Sequence, residues 1–388
     1  MAIPLAYNLR NLRVRFTTTV MTALGVALTV AVLLGILALV NGLAQALAVT
    51  GHPRQILVLR QGATSELVSA VTEEQYQALE TVSGIERLEG EPLISHEIVS
   101  VIALPLRGDP TQEGNVSARG ISPVGIRMRE DARIVEGRWF DPGKYEMVVG
   151  RGLHEIRGGT DLGDVIEFGR GRWTVVGVFD AGGSAYGSEL WCDANLAAEA
   201  RGMRGAWNSV LVRGESAAAT QTLLNRVQDD QRLRLQGQLE SEYYAKQMST
   251  AGPVQALGMF VAAIMAVGSS FAAMNTMYTA VARRSREIGT LRLLGFSRGS
   301  IMTSFLIESL SLALLGGALG CLLTLPLNGL EGRLGNQVTF SDIAFSFRVT
   351  PESLALGLAF AAIMGVVGGL LPARLAASRS VLSSMRDL

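Results

Sequence analysis

Lysine is nearly absent. Of the 34 basic residues in this 388-residue chain only Lys144 and Lys246 are lysines. Tyr145 follows the first and Gln247 the second, so neither closes the G-x-x-x-x-G-K-[ST] loop that cradles nucleotide phosphates. Any use of ATP is therefore expected to rest on another chain. Cysteine is just as scarce, with Cys192 and Cys321 the whole complement. The topology argued below places the first outside the membrane and the second within a span, so both are read as packed thiols rather than a bridge. Histidine is limited to His52, His96 and His154. HEIRG at His154 begins like a zincin helix, but the second histidine is missing, and an ordinary histidine is expected. GGSAYG, at positions 182–187, misses the nucleophile elbow by one residue and reads as a flexible turn. Acidic and basic residues balance at 34 each, which argues neither for nucleic acid nor for an acidic partner. No catalytic residue, metal site or resident cofactor is expected.

The most informative absence is local. Between Phe16 and Pro53 there is no Asp, Glu, Lys or Arg, and the same holds for Gln247 to Ala282 and for Ser353 to Ala373. Ile301 to Leu327 carries one charge, Glu308. A helix needs about 20 predominantly apolar residues to cross a bilayer core. Each stretch is long enough, and core helices of soluble proteins are usually shorter and more amphipathic. Four transmembrane helices are expected.

Arginine sets their orientation. Arg10, Arg13 and Arg15 precede the first span; Arg283, Arg284, Arg286, Arg292 and Arg298 lie between the second and third; Arg374, Arg379 and Arg386 follow the fourth. The positive-inside rule places all three clusters and both termini in the cytoplasm. Ala44-Gln45-Ala46 looks like a signal-peptidase site, but the apolar run before it exceeds the usual h-region, so an uncleaved anchor is expected. The resulting boundaries are 1–18 for a cytoplasmic amphipathic helix, 19–42 for the first span, 43–252 for an external domain and 253–281 for the second span. Then come a cytoplasmic segment 282–298, the third span 299–327, a short external loop 328–350, the fourth span 351–373 and a cytoplasmic tail 374–388. In the first of these, Leu9, Leu12, Val14 and Phe16 alternate with arginines, as in an interfacial helix.

The external segment reads as a folded α/β domain of two subdomains. Strands are expected at Gln55 to Arg60, Ile98 to Leu106, Glu146 to Val149, Val165 to Phe168, Trp173 to Phe179, Asn208 to Arg213 and Arg232 to Gln236, several bounded by glycine. Helices are expected over Thr72 to Thr81, with Thr72 as cap and Glu73 and Glu74 in the first turn, and over Ala217 to Val227.

Between the second and third spans, a helix over Arg284 to Gly295 would place Ile288, Leu291 and Leu294 on one side, Arg286 and Thr290 on the other, and Arg292 at the flank. Two readings fit: a helix lying on the membrane surface, or one gripped by a soluble partner. Gly316 and Gly320 in the third span, and Gly365 and Gly369 in the fourth, permit close helix approach, within the chain or across a dimer. Glu308 is an intramembrane carboxylate, read as pairing locally near the inner side.

The run RRSREIGTLRLLGFSRGSIMTSFLIESL resembles the signature of the MacB/FtsX family of ABC-transporter permeases. The matching positions are Arg284, Glu287, Ile288, Gly289, Gly295, Ile307 and Glu308. GLLPARLAASRSVLSSM resembles the family's closing block through Gly369, Pro372, Ala373, Arg374 and Ala376. IVEGRWF, EMVVGRGL, GDVIEFG and TVVGVFDAGGSAYGSELWCD have the family's texture outside the membrane. The resemblance implies an α-helical membrane protein of four transmembrane helices, with a large extracytoplasmic α/β domain of the MacB periplasmic-core type inserted between the first two. It also implies a bacterial inner-membrane permease subunit with no ATPase domain of its own, served by a separate ABC ATPase that holds ATP and Mg²⁺. The segment after the second span would be a coupling helix, docking through Arg284, Glu287, Ile288, Leu291 and Leu294. A second permease copy or a paralogue, the lipid bilayer, and a periplasmic adaptor with an outer-membrane channel are the further partners the resemblance admits; nucleic acid is not among them. Export driven by transmitted motion is the leading expectation. The alternatives are an FtsX-like regulator of cell-wall hydrolases and a lipoprotein-releasing permease.

Overall fold

A computed structural model describes residues 16–230, 233–247, 252–335 and 342–378. The expected interfacial helix before Phe16, with its three arginines, lies outside the described residues, as do Arg379 and Arg386. The chain divides into two compact units. One holds the described residues up to Asn41 with Gly252–Leu330 and those from Phe347 on; the other holds Gly42–Ala251 and Glu331–Ser346.

The first unit is helical. Its main elements are α1 (Phe16–Val49, whose last turns belong to the second unit), α5 (Gly252–Arg283), α6 (Ser285–Leu293), α7 (Arg298–Thr324) and α8 (Pro351–Ser378). Four of these are long and apolar enough to cross a membrane, at Thr19–Ala48, Gln255–Arg283, Arg298–Leu327 and Pro351–Ser378. Length alone says more: α1 has 34 residues, about 51 Å at 1.5 Å per residue, against about 30 Å of hydrocarbon. Two apolar clusters hold the bundle. Val26, Val30 and Leu34 of α1 meet Ala361 and Met364 of α8, while Met277 and Val281 of α5 meet Ile301 and Phe305 of α7 with Ala373 and Ala376 of α8. Large apolar side chains also remain exposed, such as Phe260 and Phe271 of α5, as a lipid-facing surface requires.

The second unit is built on one mixed ten-stranded sheet. Its strands are β1 (Gln55–Arg60), β2 (Ile94–Leu106), β3 (Asp109–Ile121), β4 (Arg133–Gly137), β5 (Glu146–Gly150), β6 (Val165–Phe168), β7 (Gly171–Asp180), β8 (Glu189–Asp193), β9 (Ser209–Arg213) and β10 (Leu235–Leu239). They lie in the order β10-β1-β9-β2-β3-β8-β5-β7-β4, with β6 paired to β7. Only the β8–β3 and β7–β5 pairs are parallel. Its longer helices are α2 (Glu73–Glu80), α3 (Ala217–Asp229) and α4 (Glu240–Gln247). Thr72 caps α2 as expected, in a full capping box with Gln75. In place of two subdomains there is one continuous sheet carrying two apolar cores. One forms around Trp173, Leu190, Cys192 and Val149; the other forms around Ile56, Val58, Val210 and Leu79, with Leu223 and Val227 of α3. The expected loop 328–350 contains a hairpin, β11 (Glu331–Gly335) against β12 (Asp342–Ser346), which groups with this unit.

Candidate functional site

Chain direction changes at Arg284. Its backbone leaves helical geometry at φ −102° and ψ 18°, which ends α5 and starts α6. The Arg284 guanidinium donates to the Glu308 carboxylate of α7 at 2.9 Å, and both side chains are only 7% exposed. Ile288, one turn on, is buried among Met277, Val281, Ile301 and Phe305. The far end of α6 is a Schellman motif: the Phe296 amide donates to Leu291 O at 3.1 Å and the Gly295 amide to Arg292 O at 3.2 Å. This closure needs Gly295 at φ +92°, where a side chain would be strained. Ser297 then caps α7 by accepting from the Ser300 amide at 3.1 Å.

These contacts sort the five expected docking residues. Arg284 and Ile288 point into the bundle and are buried, and Leu291 is half-buried. Only Glu287 and Leu294 present their side chains outward. The exposed stripe is Arg283, Arg286, Glu287, Thr290, Leu293 and Leu294, spaced as one helix face. Leu293, which sequence reasoning passed over, is 64% exposed beside Leu294 at 68%. The physical reason is that α6 has to satisfy the bundle first: its apolar stripe packs inward, and two leucines at its end remain outside. Leu294 was read as part of that stripe and instead faces out; Leu293 lies off the stripe, and that break in the pattern was the available signal.

Small residues hold the spans close. A Cβ built on Gly316 would lie 2.7 Å from Ala23 O, and one on Gly320 would lie 2.6 Å from Ala27 O. On α8, a Cβ at Gly365 or Gly369 would meet the Cβ of Ala313 or Ser309 at 2.6 Å. All four glycines thus serve packing inside this chain. Hydroxyls add cross-links: Thr29 to Ser269 at 2.7 Å, Thr22 to Thr276 at 3.1 Å, and Ser309 to Gly365 O at 2.7 Å.

The second unit buries a charge cluster that sequence reading did not find. Arg119 of β3 binds Glu66, Glu97 and Glu189, each at 2.9 Å. Arg129 takes Glu97 with both terminal nitrogens, at 2.7 and 2.9 Å. Burial works to raise the Glu97 carboxyl, but the two guanidiniums more than offset it and hold it below the usual range. Glu240 lies beside them, and there burial prevails and pushes the carboxyl up. His154, the near-zincin histidine, simply sets its Nδ1 against Thr160 O at 3.1 Å. Cys192 and Cys321 are both free thiols.

Comparison with known proteins adds an independent line. The MacB-like periplasmic core domain matches residues 19–230, more than half of the chain, and the FtsX-like permease C-terminal domain matches residues 259–381. This chain belongs to the MacB/FtsX family of ABC-transporter permeases. The permease is 25% identical over 266 residues to an uncharacterized ABC transporter permease of Methanocaldococcus jannaschii, a match covering 65% of each chain. It is 35% identical over 136 residues to the macrolide export ATP-binding/permease protein MacB of Bordetella avium, covering 35% of this chain and 20% of that one. It is 34% identical over 127 residues to the uncharacterized ABC transporter permease YknZ of Bacillus subtilis, covering 32% and 30%. Each match thus spans less than two thirds of the relative's length. Among solved structures, the extracellular domain of YknZ aligns with TM-score 0.36 and 18% identity, over 47% of this chain and 99% of that one. The periplasmic region of MacB from Actinobacillus actinomycetemcomitans aligns with TM-score 0.37 and 12% identity, over 51% and 94%. The permease is therefore a multi-pass membrane protein with a periplasmic-core domain between its first two spans.

Proposed function

We propose that this permease is the membrane subunit of a MacB-type exporter and works by transmitting motion. It lies in a bacterial inner membrane with both termini in the cytoplasm. Two copies, or one copy with a paralogue, pair with two ATPase chains that bind ATP and Mg²⁺. Closure of the ATPases displaces α6, the spans shift, and the external domain acts on substrate beyond the membrane. A periplasmic adaptor and outer-membrane channel are the natural recipients. No chemistry is assigned to this chain.

One observation carries the reading: α6 shows Leu293 and Leu294 outward while Arg284 and Ile288 anchor it inward. A helix that only lay on a membrane would not need an ion pair to the third span. An apolar tip on a braced helix is what a docking groove requires. The test is the double substitution Leu293→Asp with Leu294→Asp. It should abolish co-purification of an ABC ATPase with the permease while leaving the thermal unfolding of the external domain unchanged. Retention of the ATPase at wild-type yield would refute the docking assignment.

A further inference from the structure

The turn GGSAYG, unused by the function above, lies where the chain enters and leaves the external unit. α1 ends at Val49, and the fully buried Thr50 follows. Its hydroxyl donates to Ala46 O at 2.6 Å and accepts from the Ala185 amide at 2.7 Å. Gly51, at φ +100°, turns the chain so tightly that a Cβ there would lie 2.9 Å from the Ser241 amide nitrogen. The next amide, His52, donates to Glu240 at 3.0 Å. Glu240 opens α4, the last described helix before the second span, and is 2% exposed. Its other carboxylate oxygen accepts from the Tyr186 hydroxyl at 2.5 Å. The Tyr186 ring is covered by the Arg129 guanidinium, 4.5 Å from its centroid, and Arg129 is itself fixed by Glu97 of the sheet.

One carboxylate therefore touches the chain just after the first crossing, opens the helix before the second, and reaches the sheet through Tyr186 and Arg129. A cavity of about 270 Å³, lined by Gly51, His52, Arg129, Tyr186 and Glu240, lies against it and leaves room for the two segments to part. We propose that Glu240 is a positioning residue, the clasp that makes the end of α1 and the start of α4 a single mechanical element. Motion arriving along either crossing then reaches the sheet undivided. A buried carboxylate needs hydrogen bonds; this one sits on the helix before the second crossing and takes one bond from the chain just past the first and the other from the turn that holds Tyr186. The inference rests on the transmission mechanism proposed above and names the joint through which it would pass.

The experiment uses the full chain in lipid nanodiscs, with Cys192 and Cys321 replaced by alanine. Nitroxides are placed at the exposed positions Ala48 and Lys246, and their separation is measured by pulsed electron resonance without nucleotide. Wild type and Glu240→Gln, which keeps the hydrogen-bonding shape, should give one narrow distance. Glu240→Ala should give a distribution roughly twofold broader or split, and Tyr186→Phe one in between. Equal widths in all four chains would overturn the clasp. If Glu240→Ala does not fold, Tyr186→Phe against wild type decides: broadening supports the clasp and an unchanged width refutes it. A second arm adds the ATPase and ATP to wild type and follows hydrogen exchange in the external unit. No change there would sink the transmission mechanism while leaving the distance result to judge the clasp separately.

Discussion

Glu97 has no exposed surface and two arginines for neighbours. Removing one partner from such a group leaves charge buried without compensation, which typically costs about 3–5 kcal/mol. Glu97→Ala should therefore lower the melting temperature of the external unit sharply. The readout is convenient, because all four tryptophans, Trp139, Trp173, Trp191 and Trp207, lie in that unit and their fluorescence reports it alone within the full chain. The pH dependence has two opposed parts. The Glu97 carboxyl is depressed, so its contribution is present above the ordinary value of 4.5 and is lost as pH falls through the lowered value. The Glu240 carboxyl is raised, so its contribution is complete below 4.5 and fades as pH climbs through the raised value. The groups facing Glu240 are Arg129, Tyr186, Glu97 and the His52 amide. Glu240→Gln cannot ionise, so it should melt with wild type near pH ~4 and above it near pH ~8. A gap of the opposite sign in the fluorescence melts would contradict the assignment. None of these pairings was visible in the sequence, because the partners are separated by long stretches of chain and only the sheet order brings them together.

At the scale of elements, legibility followed burial and pattern. Gln55–Arg60 and Val165–Phe168 form strands at the expected positions, since β-branched and apolar runs bounded by turns leave little choice. Asp109–Ile121 was missed because DPTQEGN is polar and glycine-bearing; its partner Ile94–Leu106 imposes the pairing in a long hairpin. Arg133–Gly137 is a mostly exposed edge strand with no apolar alternation to read, and the strand expected at Arg232 to Gln236 is described at Leu235–Leu239, overlapping the expectation at Leu235 and Gln236. In α6, periodicity placed the helix, but which stripe faced inward depended on where α5, α7 and α8 lay. Two substitutions probe the helices. Gly295→Ala forces a side chain into the left-handed region and should cost about 1–2 kcal/mol, seen as lower thermal stability of the detergent-solubilised chain. Gly316→Val would drive a branched side chain against Ala23 O and Val26, and should reduce the yield of folded permease in size-exclusion chromatography. A normal yield would show that α1 and α7 do not need their close approach.

For the whole molecule, the decisive expectation is sidedness. A cysteine at Thr222, exposed on α3, should react with a membrane-impermeant maleimide added outside intact spheroplasts, and one at Thr290 on α6 only after the membrane is opened. The reverse pattern would invert the topology and refute the docking role proposed for α6. The amino-acid sequence by itself determined the four spans, because apolar length against bilayer thickness is a one-dimensional property. It likewise determined family membership, which is carried by short local blocks such as the one from Arg284 to Glu308. Only the tertiary structure decided that Arg284 pairs with Glu308, that Leu293 stands outward, and that Glu240 meets the His52 amide and the Tyr186 hydroxyl. Those are facts about which distant groups share a few ångströms, and a buried charge accepts whichever partner the fold delivers.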